Sequence, residues 1–321
     1  MKSKEDLGIV FMGTPEFAET ILLKLIEENY SIKGVVTAPD RPAGRGRKLQ
    51  QSAVKKCAVS NQLPVLQPTS LKDESFLNEL ESLNADLFIV VAFRMLPKNV
   101  WQMPQLGTFN LHGSLLPAYR GAAPINWAII NGEKETGVTT FFIDEKIDTG
   151  EIILQDSMPI QENETAGELH DRMMHLGAKT VVKTIELIRK GNVQTQPQPD
   201  RNSKPAPKIF KSDGQLDFAK SIESIHQHIL GMSPYPTAWI KIKHKNREET
   251  KTVKIFSSRI SSHTKNEVVM LFEKEDHLFL TLSSGTLQLN SIQLEGKKRI
   301  NAVDFLKGFQ CKDWDVLQLQ K

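Results

Sequence analysis

The stretch Leu7-Gly8-Ile9-Val10-Phe11-Met12-Gly13-Thr14-Pro15 predicts how the chain begins to fold. Its apolar part is typical of a buried strand, which ends where Gly13 and the polar residues begin. Pro15 suits the start of a helix, because its missing N–H would have no helical partner there. Apolar residues then recur at helical spacing, at Phe17, Ile21, Leu22, Leu25 and Ile26. A second apolar strand at 32–37 completes a strand–helix–strand unit, which predicts a parallel, doubly wound sheet.

The turn after the first strand lacks the glycine pattern of a dinucleotide site. Such a site needs Gly-x-Gly-x-x-Gly, whereas residues 13–18 read Gly-Thr-Pro-Glu-Phe-Ala. We therefore expect a Rossmann-like fold that does not bind NAD. The apolar run Leu87–Val91 is the most hydrophobic strand of this part. Strands buried on both faces have this composition, so we expect this one to lie at the centre of the sheet.

Residues 110–117, Asn-Leu-His-Gly-Ser-Leu-Leu-Pro, follow the end of another apolar strand. Asn110 and His112 are two residues apart, so on an extended strand their side chains share one face. An amide and an imidazole side by side could hold an oxygen that becomes negative while a proton moves nearby. The plainer alternative is that Asn110 caps a turn and His112 is an ordinary polar residue at a strand end. The residues of this stretch alone leave both interpretations open.

The run 110–124 resembles the catalytic signature of the formyltetrahydrofolate-dependent transferases. In that family Asn, His and a later Asp surround the migrating formyl group, and a Ser-Leu-Leu-Pro turn borders the folate. The later Asp is matched downstream by the loop Asp148-Thr149-Gly150. The resemblance implies catalytic roles for Asn110, His112 and Asp148. It implies folate contacts for Ser114, Leu115, Leu116 and Pro117.

Length and composition indicate a soluble globular protein with two domains. A chain of 321 residues is long for one small core. Its 39% hydrophobic and 25% charged residues are ordinary for a soluble protein. Cys57 and Cys311 lie too far apart in sequence for a metal or redox motif, which favours a reducing cytoplasm over a disulfide framework. The chain shows no signal core and no apolar stretch long enough to span a bilayer.

The charge is unevenly distributed along the chain. Residues 201–321 carry 20 Lys and Arg against 13 Asp and Glu, a net charge of +7, while residues 1–200 carry a net charge of −4. Two Pro-x-Pro pairs between 191 and 208, at 197–199 and 205–207, predict an extended linker. Beyond residue 238 the pattern changes to five short alternating strands, which predicts a small OB-like β-barrel of the kind often used on nucleic acids. We expect a catalytic domain at 1–190, a linker at 191–208 and a barrel domain at 209–321.

The segment 39–48, Pro-Asp-Arg-Pro-Ala-Gly-Arg-Gly-Arg-Lys, has four cations and no apolar anchor. A basic loop of this length between a strand and a helix indicates binding, with a plain surface insertion as the alternative. The run resembles the loop with which the tRNA-dependent members of the family engage an acceptor stem. That resemblance implies tRNA contacts for Arg41, Arg45, Arg47 and Lys48. The basic hairpin 241–247 of the barrel suggests a second tRNA contact through Lys241, Lys243 and Lys245.

The resemblance implies a reaction and its partners. A formyl group would pass from 10-formyltetrahydrofolate to the α-amine of methionine on initiator methionyl-tRNA, with no metal. Asn110 would donate to the oxyanion, and His112, oriented and kept cationic by Asp148, would stabilise it and help to move the proton. Two alternatives stay open. One is a formyltransferase for a sugar-nucleotide or ribonucleotide amine, and the other is a tRNA-binding protein with an inactive transferase domain.

Overall fold

The computed structural model describes residues 3–43, 48–199, 204–262 and 266–318. The chain forms two compact units, and neither is continuous in sequence. The first consists of Met1–Gly121, Thr136–Met158 and His170–Pro205. The second consists of Ala122–Glu135, Pro159–Leu169 and Ala206–Lys321. The domains expected from the sequence, 1–190 and 209–321, are a functional division into a catalytic and a tRNA-binding part. That division stays a prediction.

The amino-terminal half alternates strands and helices, as the first stretch predicts. Its strands are β1 (Gly8–Gly13), β2 (Ser31–Val36), β3 (Arg41–Ala43), β4 (Lys48–Gln50), β5 (Val65–Leu66), β6 (Leu87–Val91), β7 (Thr108–His112), β8 (Arg120–Gly121), β9 (Glu135–Phe142) and β10 (Ile152–Pro159). Its helices are α1 (Glu16–Glu27), α2 (Ala53–Ser60), α3 (Glu74–Ser82), α4 (Lys98–Trp101), α5 (Pro124–Ile130) and α6 (Ala166–Arg189).

The main sheet has the order β10-β9-β7-β6-β1-β2-β5. The strands β1, β2, β5, β6 and β7 pair in parallel, which confirms the Rossmann-like prediction for this part of the sheet. The strand β9 departs from it and runs antiparallel to β7. The strand β6 is the fourth of seven and is buried along its whole length, as its composition predicts. The core on one face of the sheet includes Val10, Met12, Val36, Phe76, Leu80, Phe88 and Val100.

Local sequence signals fix where several helices begin. The side chains of Ser52 and Asp73 accept hydrogen bonds from the first turns of α2 and α3. At the start of α6, Glu168 Oε2 accepts from Thr165 N at 2.8 Å, and Glu168 N donates to Thr165 Oγ1 at 3.3 Å. This reciprocal pair is a capping box, and it ties up two backbone donors that the helix itself leaves unpaired. Within the described ranges, no helix is long and apolar enough to cross a membrane.

The carboxyl-terminal part is a small antiparallel barrel with a helix packed on it. It contains β11 (Pro205–Ala206), α7 (Ile222–Met232), β12 (Ala238–His244), β13 (Thr250–Ser261), β14 (Met270–Lys274), β15 (His277–Leu282), β16 (Gly285–Leu294), β17 (Ile300–Asn301), α8 (Ala302–Leu306) and β18 (Trp314–Leu317). The order β14-β15-β16-β13-β12-β18, with β14 beside β18, nearly closes the sheet. The barrel prediction is confirmed. The five predicted strands correspond to β12, β13, β14, β15 and β16, whereas β17, α8 and β18 were not predicted.

The basic segment after β2 is more ordered than its composition predicts. β3 and β4 form an antiparallel hairpin in which Arg41 pairs with Gln50 and Ala43 with Lys48. The prediction of a loop over the whole segment is therefore wrong for β3 and β4. Two three-residue strands, one of them with a proline, are too short to show an alternating pattern. Arg45 and Arg47, two of the cations expected to contact tRNA, lie outside the described residues.

Candidate active site

Asn110 and His112 lie on β7 in the register that their spacing predicts. Asn110 is paired between Val90 of β6 and Phe141 of β9, and His112 is paired with Thr139 of β9. Both side chains therefore share one face of the strand. Asn110 is half-buried, and its amide forms no hydrogen bond with any other described residue, so the amide is open to a ligand. His112 is only 6% exposed.

The imidazole of His112 is fixed by a backbone carbonyl. Its Nε2 lies 2.8 Å from Tyr119 O. A carbonyl can only accept, so Nε2 carries the hydrogen of this bond. The other ring nitrogen, Nδ1, lies 3.7 Å from Asp148 Oδ2, which is ion-pair distance and longer than a hydrogen bond. The ring is thus oriented by Tyr119, while Asp148 supplies negative charge next to the nitrogen that remains for chemistry.

Asp148 is held in a sharply turned loop. Its backbone has a φ of 55°, in the left-handed region that few residues other than glycine adopt. Its Oδ2 accepts a hydrogen bond from Gly121 N at 2.9 Å. The next residue, Thr149, donates its hydroxyl to Asp144 Oδ1 at 2.8 Å, which closes the loop. Gly150 follows because any Cβ there would lie 1.6 Å from Phe142 O. Each residue of the Asp-Thr-Gly motif therefore contributes to the conformation of this loop.

The Ser-Leu-Leu-Pro turn after β7 is pinned by two polar side chains from β9 and β10. Thr139 Oγ1 donates to Ser114 O at 2.7 Å and accepts from Leu116 N at 3.1 Å. Gln155 Nε2 donates to Leu116 O at 3.0 Å and to Thr139 Oγ1 at 2.8 Å. Ser114 Oγ itself donates to Ala118 O at 2.6 Å. The turn therefore has one fixed backbone path, which a flat ligand could follow.

The four residues expected to contact folate divide into two pairs. The side chains of Ser114 and Leu116 are buried, at 0% and 3% exposure, so a ligand can reach these residues chiefly through their backbone. Leu115 and Pro117 are half-buried and present side-chain surface. All four folate contacts stay predictions. The alternation of the two pairs indicates that the turn's shape, more than its side-chain chemistry, would form the pocket.

The hairpin of β3 and β4, called the basic hairpin from here on, is anchored at its base. Asp40 Oδ2 accepts from Lys55 Nζ at 2.6 Å, and its Oδ1 accepts from Gln67 Nε2 at 2.8 Å. The hydrogen bonds from Lys55 and Gln67 hold the pKa of Asp40 below its usual range. Gln67 also donates to Ala38 O at 2.8 Å. Above this base Arg41 is exposed and forms no ion pair with the described part of the chain.

A further cation, Arg94, lies close to the hairpin and was not predicted. Its guanidinium donates to the carbonyls of Thr69, at 2.9 Å, and Pro68. Partial desolvation, and after it the nearby charge of Arg41, lower the pKa of Arg94. The two guanidinium groups are therefore close enough to repel each other. Such a pair favours an anion between or beside them, because an anion relieves the repulsion.

The barrel lysines follow the alternation of β12. The residues Ile240, Ile242 and His244 point into the barrel and are buried. Lys241 is half-buried, and Lys243 and Lys245 are exposed on the opposite face of the strand and its turn. Lys245 Nζ lies 3.6 Å from Asp315 Oδ1, so part of its charge is already balanced. Lys48, the remaining predicted tRNA contact, is the first residue of β4.

The two cysteines, Cys57 and Cys311, lie apart from the candidate site residues in sequence and are both buried. Burial raises the pKa of each thiol to about 11. A thiol with that pKa is almost fully protonated at neutral pH, so neither cysteine is a ready nucleophile. No group of three His, Cys, Asp or Glu side chains in the described part of the chain is arranged to hold a metal ion.

Comparison with known proteins places these features in a family. The Formyl transferase family matches residues 7–185, and the Formyl transferase C-terminal domain matches residues 208–310. A methionyl-tRNA formyltransferase of Flavobacterium johnsoniae is 53% identical over 311 residues, covering 96% of this chain and 98% of that protein. One of Bacteroides fragilis is 48% identical over 316 residues, covering 97% of each chain.

Solved structures share the fold at lower identity. A sugar 3N-formyl transferase, WlaRD, crystallised in the presence of dTDP and 5-N-formyl-THF, matches with a TM-score of 0.65 and 22% identity, covering 92% of this chain and 100% of that one. HypX from Aquifex aeolicus, in complex with tetrahydrofolic acid, matches with a TM-score of 0.63 and 16% identity, covering 97% of this chain and 50% of that one. These two comparisons concern the fold alone. The family matches and the close full-length relatives show that the chain belongs to the methionyl-tRNA formyltransferase family.

Proposed function

We propose that this protein transfers a formyl group from 10-formyltetrahydrofolate to the α-amine of methionine on initiator methionyl-tRNA. One observation carries the proposal. Asn110, with its open amide, lies with His112 and Asp148 at the end of β7, in a chain that is 53% identical to a methionyl-tRNA formyltransferase. All three side chains that the family signature requires are present. This disfavours the alternative of a tRNA-binding protein with an inactive transferase domain.

The chemistry follows from the geometry of these side chains. The amine nitrogen bonds to the formyl carbon, and the formyl oxygen takes up the negative charge of the tetrahedral intermediate. Asn110 donates its amide hydrogen to that oxygen, which is the main source of stabilisation in such reactions. The intermediate collapses when the bond from the formyl carbon to the folate nitrogen breaks. The folate nitrogen gains a proton, and the attacking amine loses one.

His112 is suited to moving that proton through one nitrogen only. Its Nε2 is committed to Tyr119 O, which leaves Nδ1 for the substrate side. Asp148 Oδ2 stands 3.7 Å from Nδ1, where its negative charge can stabilise the transition state of the proton transfer. Losing one such stabilising group typically costs about 3–4 kcal/mol of barrier. No step of this scheme requires a metal ion.

The co-substrate and the tRNA would use different surfaces. We place the folate along the backbone of residues 114–117, with Leu115 and Pro117 as its side-chain contacts. We assign the acceptor stem to the basic hairpin, through Arg41, Arg45, Arg47 and Lys48, with Arg94 beside them. Lys241, Lys243 and Lys245 would attract the phosphate backbone. In this arrangement residues 1–190 catalyse, residues 209–321 bind tRNA, and the enzyme works in the cytoplasm, where translation starts.

A three-acceptor assay tests the proposal. Purified full-length protein and 10-formyltetrahydrofolate are incubated with initiator methionyl-tRNA, with free methionine and with an amino-sugar nucleotide. We expect fast formylation of the aminoacylated tRNA and at least about a hundredfold slower reaction of the other two. Free methionine has no phosphate and the sugar nucleotide has only a diphosphate, so neither offers the chain of phosphates of an acceptor stem. Preferred formylation of the sugar amine would support the runner-up activity. Binding of tRNA without any formyl transfer would support the inactive-domain alternative.

A further inference from the structure

The tripeptide Tyr119-Arg120-Gly121 is attached at three consecutive residues. Tyr119 O accepts from His112 Nε2 at 2.8 Å, and Gly121 N donates to Asp148 Oδ2 at 2.9 Å. His112 is therefore bonded to the residue just before Arg120, and Asp148 is bonded to the residue just after it. A contact that holds Arg120 in place therefore also helps to hold the His112 imidazole and the Asp148 carboxylate at their distance from each other.

Arg120 is held by Gln198, a residue of the segment 191–208 that the sequence predicts to be a linker. Gln198 Oε1 accepts from Arg120 Nε at 3.0 Å and from Arg120 Nη2 at 2.7 Å. The other end of the same amide, Nε2, donates to Asp148 O at 3.1 Å and to Gly150 O at 2.8 Å. A side-chain amide offers two donor hydrogens and two acceptor positions. All four are used here, so this side chain has a single orientation.

These bonds form a closed ring. It runs from the Gln198 amide to the Arg120 guanidinium, along the backbone to Gly121, across to the Asp148 carboxylate, and from the Asp148 carbonyl back to Gln198. Asp148 is thus held on both sides, with its carboxylate bound by Gly121 and its carbonyl bound by Gln198. A residue with positive φ needs such support, because its backbone is in a sparsely populated conformation.

The segment that carries Gln198 is itself fixed to the Asp148 loop. Gln196 and Ile152 exchange two backbone hydrogen bonds, of 2.8 and 2.9 Å. Thr195 Oγ1 donates to a carboxylate oxygen of Glu151. Residues 195–198 therefore run beside residues 148–152 like an additional strand, and Gln198 is delivered to the loop by backbone pairing.

We propose that Gln198 is a positioning residue for the formyl transfer, which makes residues 195–198 part of the catalytic apparatus. Gln198 touches neither substrate in this scheme and acts through Asp148 and Arg120. It keeps the Asp148 carboxylate at ion-pair distance from His112 Nδ1. The inference rests on the proposed function for its effect on turnover, while the geometry that it describes is independent of the substrate.

The test uses two substitutions of Gln198 and one matched control. Gln198→Met keeps the length of the side chain and removes all four hydrogen bonds. Gln198→Glu keeps an acceptor for Arg120, preserves more of the local structure, and removes the donors to Asp148 and Gly150. Gln194→Met makes the same chemical change at an exposed glutamine of the same segment that forms no hydrogen bond with a described residue. Thermal melting of each variant shows that it is folded.

Two measurements are made on each full-length variant. The first is kcat and KM for folate and for methionyl-tRNA. The second is the ¹H–¹⁵N imidazole spectrum of histidine-labelled protein, in which His112 is assigned by the signal that disappears in His112→Ala. We expect both Gln198 variants to lower kcat at least about tenfold, with each KM within about twofold, and to shift the His112 signals. Gln194→Met should match the wild type in both.

A positioning role predicts a lower kcat with little change in either KM, whereas a merely structural role does not predict this difference. The inference is wrong if either folded Gln198 variant keeps the wild-type kcat, or leaves the His112 signals unmoved, or changes only a KM. Failure of the proposed function is a different result, in which the wild type formylates no methionyl-tRNA. In that case the imidazole spectrum alone still decides whether Gln198 positions the pair.

Discussion

Two loops of the first unit follow strands of the same sheet, β7 and β2, and are held in different ways. The loop that follows β7, residues 113–121, is attached along its whole length by Thr139, Gln155 and Asp148. The basic segment that follows β2, residues 38–51, is attached at its base. There Asp40 binds Lys55, and the hydroxyls of Thr37 and Ser52 lie 2.8 Å apart. Its described strands carry exposed side chains, including Leu49 at 69%.

The difference follows from what each loop has to do. A group that stabilises a transition state must stay within a fraction of an ångström of its place, because a misplacement of about 1 Å can cost a hundredfold in rate. A group that attracts a large polyanion acts over longer distances and needs accessible charge. Changes in the first loop should therefore alter turnover, and changes in the second should alter the choice and strength of tRNA binding.

The largest effect is expected at the catalytic pair. His112→Ala and Asp148→Ala should each lower kcat at least about a hundredfold, because both groups act on charge that develops in the transition state. Folate affinity should change much less. The measurement is steady-state formylation together with folate binding. The matched control is His170→Ala, which removes an imidazole from a second His–Asp pair, at 3.1 Å from Asp171. Near-normal turnover of either variant would show that its catalytic assignment is wrong.

The next effect is expected at Arg45. In the sequence it stands between Gly44 and Gly46, and glycine neighbours permit a tight turn. Arg45→Ala should lower formylation of initiator methionyl-tRNA about tenfold, the worth of one hydrogen bond to a charged group, and reduce its preference over elongator methionyl-tRNA. The assay compares both tRNAs. Lys72→Ala, which removes an exposed cation elsewhere in the first unit, is the control. Unchanged preference in the Arg45 variant would exclude this loop as the reader.

A smaller and less selective effect is expected at the barrel. Neutralising Lys241, Lys243 and Lys245 together should weaken all tRNAs alike by a few-fold. It should also reduce the slope of log affinity against log salt by up to about 2, because each phosphate contact contributes about 0.7–0.9. Lys245 should contribute least, since Asp315 already balances it. Binding is measured across a salt series, with Lys274, Lys297 and Lys298 as the charge-matched control triple. A loss confined to initiator tRNA would contradict a sequence-indifferent contact.

The smallest effect on activity is expected at an ion pair of α6. Hydrogen bonds from Arg189 and then Tyr30 outweigh desolvation and lower the pKa of Glu186 to about 2. A carboxyl whose pKa is lower in the folded state stabilises the fold above its unfolded pKa of about 4.3, and this stability is lost as the pH falls toward 2. Glu186→Gln should therefore destabilise the protein by about 1–2 kcal/mol at pH 7 and by almost nothing near pH 2.

Urea unfolding of the wild type and Glu186→Gln between pH 2 and 7 measures this difference. Formylation of either tRNA should stay within about twofold of the wild type, because Glu186 contacts neither loop. A stability difference that persists at pH 2 would contradict the ion-pair explanation. A large loss of activity would instead contradict the division of labour between the two loops.

Local patterns in the sequence determined many of the helices and strands and the three catalytic candidates. Hydrophobic period predicted strands and helices to within one or two residues at β1, α1, β2 and β6. These signals work because neighbours along the chain decide them. The catalytic candidates Asn110, His112 and Asp148 were found for a related reason, since their motifs are short and continuous.

The supporting residues could be found only in the tertiary structure. Thr139 and Gln155 stand among the residues of ordinary strands, and Gln198 stands between prolines in a segment without apolar period. Gln198 is 50 positions from Asp148 and 78 from Arg120, so no local pattern connects them. The order of strands in the sheet brings these residues together. The sequence alone therefore determined which side chains are the catalytic candidates. The topology decided which residues hold them in place, because hydrogen bonds between distant segments depend on the path of the whole chain.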